Sequence, residues 1–343
     1  MTGTELFLIL LAQGVAGHGD SLALTRVGGP TVKAARVAAE MAVDGALSES
    51  AWAAATPVTG FVQRDPSEGA EASERTEVFV LYDDAAIYVG ARLHDRAPDS
   101  VAAQLARRDR LAASDRFTVF IDSYHDRRSG FFFGINAAGT LYDGTLYNDD
   151  WDDDTWDGVW DGEARRDSLG WTAELRIPYS QLRFQKGASY RWGINFSREI
   201  ARRNERDYLV FVPSNGSGFV SRFPVLEGIE GVSPPPRLEV VPYVTSRAEF
   251  LDHEAADPFN SGSRYVAGAG ADLKVGLGGN LTLAATVNPD FGQVEVDPAI
   301  VNLSDVETFL EERRPFFVEG ASIFEFGFGG ANDFWGFSWG NPN

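Results

Sequence analysis

Between Trp171 and Ile177 apolar and polar positions alternate. Trp171, Ala173, Leu175 and Ile177 fall on one side; Thr172, Glu174 and Arg176 fall on the other. A repeat of two is the signature of a half-buried strand. Pro178 has no N–H for a ladder and ends it. Asp167 to Gly170 carries turn residues, so this strand and the one before it, Trp160 to Arg166, are expected to form a hairpin. Further strands are expected at Glu77–Tyr82, Ala86–Leu93, Arg116–Ser123, Gly130–Asn136, Thr140–Leu146, Tyr190–Ile200 and Asp207–Val212. Short strands separated by frequent turns point to an all-β, antiparallel β-sandwich. Val101 to Arg110 reads as a helix whose Arg107, Arg108 and Arg110 form a solvated face. Ser48 to Ala55 reads as a short helical piece capped by Ser48, with Trp52 packed into the core, and Phe61 to Glu74 as a loop.

Pro234-Pro235-Pro236 interrupts this pattern with a stiff spacer. Beyond it the alternation lengthens. Leu238, Val240, Pro242 and Val244 alternate with Glu239, Tyr243, Thr245 and Arg247. Tyr265 to Leu277 alternates apolar or alanine positions with glycine, Asp272 and Lys274, and Leu281 to Val287 does the same after a Gly278-Gly279-Asn280 turn. Such strands suit a transmembrane barrel, lipid on one face and a polar lumen on the other, and equally a soluble sheet packed on another layer. A closed barrel takes at least about eight strands, so under the barrel reading residues 237–343 would be its truncated N-terminal part. At the other end, Leu6 to Ala12 is apolar but too short to span a bilayer, and small residues follow at Val15-Ala16-Gly17. Residues 1–17 are therefore expected to be a signal peptide, 18–39 a leader or linker, 40–230 the sandwich, and 231–236 a proline-rich linker.

Two resemblances sharpen this outline. GWTAELRIPYSQL (Gly170–Leu182), FFFGINAAGTLYDG (Phe131–Gly144), VDGALSESAW (Val43–Trp52) and VFVLYDDAAIYVGARLHD (Val78–Asp95) resemble family 9 carbohydrate-binding modules. NPDFGQVEVDPAIVNLS (Asn288–Ser304) and ERRPFFVEG (Glu312–Gly320) resemble the start of a bacterial outer-membrane β-barrel domain of unknown function, which commonly follows such a module. The first resemblance implies a jelly-roll-like sandwich, a poly- or oligosaccharide partner, non-catalytic glycan capture in carbohydrate catabolism, and structural calcium as a class of site. The second implies export to the periplasm and outer membrane, with the membrane met through the complete barrel.

Composition adds exclusions. Fifty acidic residues against 30 basic give a net charge of −20, which repels nucleic acid phosphates. No cysteine is present, so thiol nucleophiles and zinc–thiolate sites are ruled out. No organic cofactor motif occurs. The four histidines, at 18, 94, 125 and 253, lack ligand spacing, and no GxSxG, HExxH or P-loop appears. Candidate chemistry concentrates in the acidic loop. Trp151 and Trp156 are candidate sugar platforms, with Tyr142, Asp143 and Tyr147 just before them; the alternative places Trp156 and Trp160 over the open edge of the core. Asp150, Asp152 and Asp154 are candidate calcium ligands in an oxygen cage. They begin like an EF-hand loop, but Thr155 stands where that loop needs glycine, so an EF-hand is rejected. A solvated acidic loop is the plainer alternative. Two other functions stay open: a structural plug or assembly domain without sugar binding, and a glycoside hydrolase using one of many acid pairs.

Overall fold

A computed structural model describes residues 31–39, 41–236, 238–250, 262–276 and 282–288. The signal segment, the Gly278–Asn280 turn and the two barrel-like motifs after Asn288 lie outside these residues. Fourteen strands precede the prolines. They are β1 (Val32–Lys33), β2 (Ala35–Arg36), β3 (Val62–Asp65), β4 (Thr76–Tyr82), β5 (Ala86–His94), β6 (Arg116–Asp122) and β7 (Gly130–Asn136). Then come β8 (Leu141–Tyr147), β9 (Trp151–Asp153), β10 (Asp161–Asp167), β11 (Gly170–Pro178), β12 (Ser189–Ile200), β13 (Glu205–Tyr208) and β14 (Val225–Glu230). One sheet runs β1-β14-β12-β6-β7-β8-β9, with β13 and β3 continuing from β12; the other runs β10-β11-β5-β4-β2. Among the described residues the pairings are antiparallel apart from β1 on β14 and β2 on β4. The protein is all-β, as its alternation predicts.

The core lies between the two sheets. Phe117, Val119, Ile121, Phe133, Ile135, Ile194 and Phe196 face Val78, Val80, Val89, Leu93, Trp171, Ala173, Leu175 and Ile177, all fully buried. The β10–β11 hairpin forms at the expected turn, where the Asp167 carboxylate accepts the Leu169 N–H at 2.9 Å. Gly170 has φ +134°, and a side chain there would meet the Leu93 carbonyl.

Three local expectations are revised. Residues Val101–Arg110 form no helix. Their N–H groups are claimed from across the fold: Gln104 by the Ser114 hydroxyl, Ala106 by the Thr140 hydroxyl, Asp109 by the Leu141 carbonyl. Strand β11 is buried on both faces, because Met41 to Ala55 covers the polar side. There the Glu174 carboxylate accepts the N–H groups of Asp44 and Gly45 at 3.0 and 3.1 Å, and the Thr172 hydroxyl donates to the Gly45 carbonyl at 2.6 Å. Trp52 is core, as expected, but its 3-10 turn (Ser50–Ala54) starts after Glu49 and has no side-chain cap, so Ser48 does not cap it. Two segments read as linker or loop also join the sheets. β1 and β2 cross from one sheet to the other between Val32 and Arg36, and β3 pairs with β13.

One end of the sandwich is closed by charge. Arg198, fully buried, donates to the backbone carbonyls of Arg75 and His94 and to the Thr76 hydroxyl. Arg202 grips Asp95 with two bonds of 2.7 and 2.8 Å, and Arg203 donates to Glu74 at 2.8 Å. Asp207 is buried beside them. Burial, and then the charge of Glu205, push its carboxyl up to about 7 against the pull of Arg198.

After the prolines, β15 (Leu238–Phe250), β16 (Ser263–Gly276) and β17 (Thr282–Val287) form a separate antiparallel sheet. Its register gathers Leu238, Val275 and Leu283 in one row, Val240, Leu273 and Ala285 in the next, and Pro242, Ala271 and Val287 in a third. One face is thus continuously apolar, with Leu238, Val240, Val244, Leu283 and Val287 exposed.

Two predictions follow from the packing. A methyl on Gly90 would lie 2.7 Å from Leu47 and 2.9 Å from Trp52. Gly90→Ala is expected to cost about 1–3 kcal/mol in chemical denaturation, the usual range for overpacking; an unchanged midpoint would show that the 41–55 segment does not lie on β5. For Asp207 the folded chain retains a proton that the unfolded chain releases. Its contribution is complete below about pH 4 and is lost as pH rises toward 7. Asp207→Asn should therefore lose less stability than wild type between about pH 5 and about pH 8, by on the order of 1 kcal/mol. Parallel pH–stability curves for the two proteins would refute the raised carboxyl.

Candidate functional site

With the outer side of the β5–β11 sheet covered, the nine-stranded sheet keeps the free face. Alternation decides what stands there. Inward residues of β6 are Phe117, Val119 and Ile121, so Arg116, Thr118 and Phe120 point outward. The pairing then aligns outward residues in rows across the strands. One row reads Tyr208, Ser197, Thr118, Gly134, Tyr142, and the next reads Arg206, Glu199, Arg116. A third sets Phe120 beside Phe132.

Gly134 is the space that shapes the first row. A Cβ there would sit 2.1 Å from the Tyr142 ring, so only glycine lets that ring lie across β7. The Tyr142 hydroxyl thereby reaches the Thr118 hydroxyl at 2.7 Å. Burial pushes the phenol well above its usual range, so it stays neutral. In the second row Arg116 pairs with Glu199 through one carboxylate oxygen, and Arg206 Nε pairs with the other at 3.2 Å. Aromatic rings form a wall: Phe219 meets Phe120 edge-on at 4.9 Å and Tyr208 at 5.9 Å. Together these residues line a cavity of about 390 Å³, whose rim carries Asp109, Leu111, Asp150, Asp152 and Asp154. That volume lies in the ~300–1,000 Å³ range of small-ligand sites.

The rim is held by a second loop. Asp149 accepts from the N–H and hydroxyl of Ser221 at 2.8 Å each, and Asp150 accepts the Gly218 N–H at 2.9 Å. In β9, Asp152 lies opposite Leu146 and faces the groove, whereas Trp151 lies opposite Tyr147 on the other side. Burial and the charges of Asp154 and Asp153 raise the Asp152 carboxyl above its ordinary value.

The predicted site residues are therefore divided. Tyr142, Asp143, Asp150, Asp152 and Asp154 line the groove. Trp151 does not; it is 51% exposed and packs its ring edge-on against Tyr147 at 5.7 Å. Trp156 as a platform is corrected: it is 6% exposed, packed on Phe131 and Phe133 at 5.2 and 6.0 Å, where it covers the open edge of the core. Alternation alone could have found Arg116, Thr118 and Phe120; nothing local could have joined them to Glu199, Arg206 or Tyr208.

Asp150, Asp152 and Asp154 lie on one side of the loop and share the groove, but among the described residues they do not form a trio of converging carboxylates. The acids that do converge, within 4.8 Å, are Asp109, Asp143 and Asp157. Arg108 sits among them, at 3.6 Å from Asp109, 2.5 Å from Asp143 and 3.1 Å from Asp157. A resident guanidinium already supplies the positive charge, so these residues do not fit a metal ion. Burial, followed by the charges of Asp143 and Asp157, still pushes Asp109 up to about 6. Asp143 is fully buried and takes bonds from Arg108, Gly158 N–H and Trp160 Nε1 on Oδ2, while Oδ1 has no partner.

Comparison with known proteins gives three findings. A family model described as a domain of unknown function (DUF5916) matches residues 234–328, the segment that begins at the triple proline. No curated protein matches the chain. Among solved structures, a family 9 carbohydrate-binding module from Caldicellulosiruptor kristjanssonii in complex with cellotriose is 15% identical, covering 58% of this chain and 93% of its own, with a TM-score of 0.42. A candidate carbohydrate-binding protein from Bacteroides uniformis is 12% identical, covering 58% of this chain and 99% of its own, with a TM-score of 0.48. Likeness at this level carries no argument about ligand.

The geometry makes one prediction. Gly134→Ala should expel the Tyr142 ring and cost about 1–3 kcal/mol by overpacking. Tyr142→Phe should cost only the hydroxyl bond, on the order of 1 kcal/mol. Denaturation midpoints for both variants check this; a neutral Gly134→Ala would mean that the ring does not cross β7.

Proposed function

We propose that the sandwich is a non-catalytic carbohydrate-binding module whose ligand lies in the groove on the free face of the nine-stranded sheet. The observation that carries this reading is the groove's lining. Half-buried rings of Tyr142, Phe120, Tyr208 and Phe219 stand beside hydroxyls of Thr118 and Ser197 and the Arg116–Glu199–Arg206 row. Sugars present C–H faces to aromatic rings and hydroxyls to polar groups, and this floor offers both within one cavity. The resemblance of Phe131–Gly144 and Gly170–Leu182 to family 9 modules supports the same class. We also place the chain at the periplasmic or outer face of an outer membrane. The continuous apolar face of β15–β17 supports that location, as a lipid-facing barrel wall would read this way. Among the described residues no helix is long and apolar enough to cross a membrane, which says nothing about crossing by strands.

Titration of soluble oligosaccharides against the full chain tests the reading. Tyr142→Ala and Phe219→Ala should each weaken binding about tenfold or more, taking ~1–3 kcal/mol for a lost aromatic stack. Trp151→Ala should leave affinity unchanged. Loss of binding with Trp151→Ala alone would move the ligand to the sheet edge, and a wild type that binds no sugar would favour a structural plug or assembly domain.

A further inference from the structure

The groove is electrically lopsided. Its lining holds Asp109, Asp143, Asp150, Asp152, Asp154 and Glu199 against only Arg116 and Arg206. On the β12–β13 side, Glu199 is shared by both arginines, so that side carries no excess of negative charge. On the β9 side the balance is reversed. Asp150 has one backbone N–H, and among the described residues no basic side chain pairs with Asp152 or Asp154. Asp143, fully buried in the same lining, has Oδ1 without a hydrogen-bond donor.

A neutral sugar leaves these carboxylates uncompensated and takes water from them, which is costly. A uronic or sulfated sugar adds repulsion, in a chain whose net charge is already −20. A metal ion is not favoured, because Arg108 fills the converging triad of Asp109, Asp143 and Asp157. What remains is a ligand with apolar ring faces, hydroxyls and a positive charge that donates hydrogen bonds.

We propose that the groove is selective for oligosaccharides of amine-bearing sugars, with an ammonium group set between Asp152 and Asp154 and the sugar faces against Tyr142 and Phe219. The proposal rests on the carbohydrate reading above and names its ligand class. Each ammonium supplies donors to the unpaired rim, while the ring keeps the aromatic contacts that a neutral sugar would make. The preference should weaken with added salt, since the rim is exposed.

The test is calorimetric titration of the full chain, near pH 6, with three oligomers of equal length: deacetylated glucosamine, N-acetylglucosamine and a cello-oligosaccharide. The glucosamine oligomer should bind at least tenfold more tightly than either neutral one, and high salt should narrow the gap. The double variant Asp152→Asn, Asp154→Asn should lose that preference and bind the neutral oligomers at least as tightly as wild type does, since the desolvation penalty of the two charges is gone, with a melting curve confirming its fold. Equal binding of all three oligomers overturns the amine preference and leaves the carbohydrate reading standing. No binding of any of them overturns both. A wild-type preference that survives the double substitution overturns the assignment to this rim. Saturable heat with calcium alone that the double variant abolishes, without preference among sugars, makes the rim a cation site and overturns the proposal.

Discussion

The burial of the β11-β5-β4 part of the smaller sheet on both faces is the constraint from which the site follows. Its inner face packs into the core, and its outer face is roofed by Met41 to Ala55. Trp52 seats over Gly90, and Glu174 fastens the roof by taking two backbone N–H groups from Asp44 and Gly45. A large aromatic buried over backbone brings substantial apolar area out of water, and the carboxylate bonds keep its approach in register. Because this face is covered, the outer face of the nine-stranded sheet is the one left open, and the groove lies on it. A separate hydrophobic cluster lies there, with Phe132, Leu146, Val220 and Phe223 buried and Phe120, Tyr142 and Phe219 partly open.

On that face, register does what no single residue could. Five strands bring Tyr208, Ser197, Thr118, Gly134 and Tyr142 into one row, and the absent side chain of Gly134 turns the last ring flat. A sheet surface is otherwise level. Laying one ring down across β7 and raising Phe219 from the neighbouring loop gives it a floor and a wall.

Much of the sandwich was legible because strand alternation is local: the expected β7 matches the observed Gly130–Asn136, and the β10–β11 hairpin forms at its predicted turn. What escaped depends on contacts distant in sequence. Val101–Arg110 has helical composition, yet Thr140, Leu141 and Ser114 claim its N–H groups. Thr172 and Glu174 look solvent-facing until the Met41–Ala55 segment is laid over them. The acidic loop announced itself by charge, and five of the eight candidate residues do meet in the groove. Loop position suggests exposure for both tryptophans, which holds for Trp151 and not for Trp156. Parity sends Trp151 away from the groove, and Trp156 folds back over Phe131. The Arg116–Glu199 pair joins strands 83 positions apart, beyond any local motif.

The two kinds of acid in the groove divide its chemistry. Glu199 has both carboxylate oxygens engaged, Oε2 by Arg116 and Oε1 by Arg206. An acid so held has no oxygen directed at a ligand with a proton to give, so it acts as a hydrogen-bonding frame that fixes two guanidinium planes. Asp152 and Asp154 are the opposite case: they stand on the rim, and among the described residues no basic side chain pairs with either. A fixed, neutralised floor suits shape and stacking, and an unneutralised rim suits attraction. In the proposed reading, floor and rim are both in place before a ligand arrives, since the loop carrying the rim is already tied down by Asp149 and Asp150 to Gly218 and Ser221.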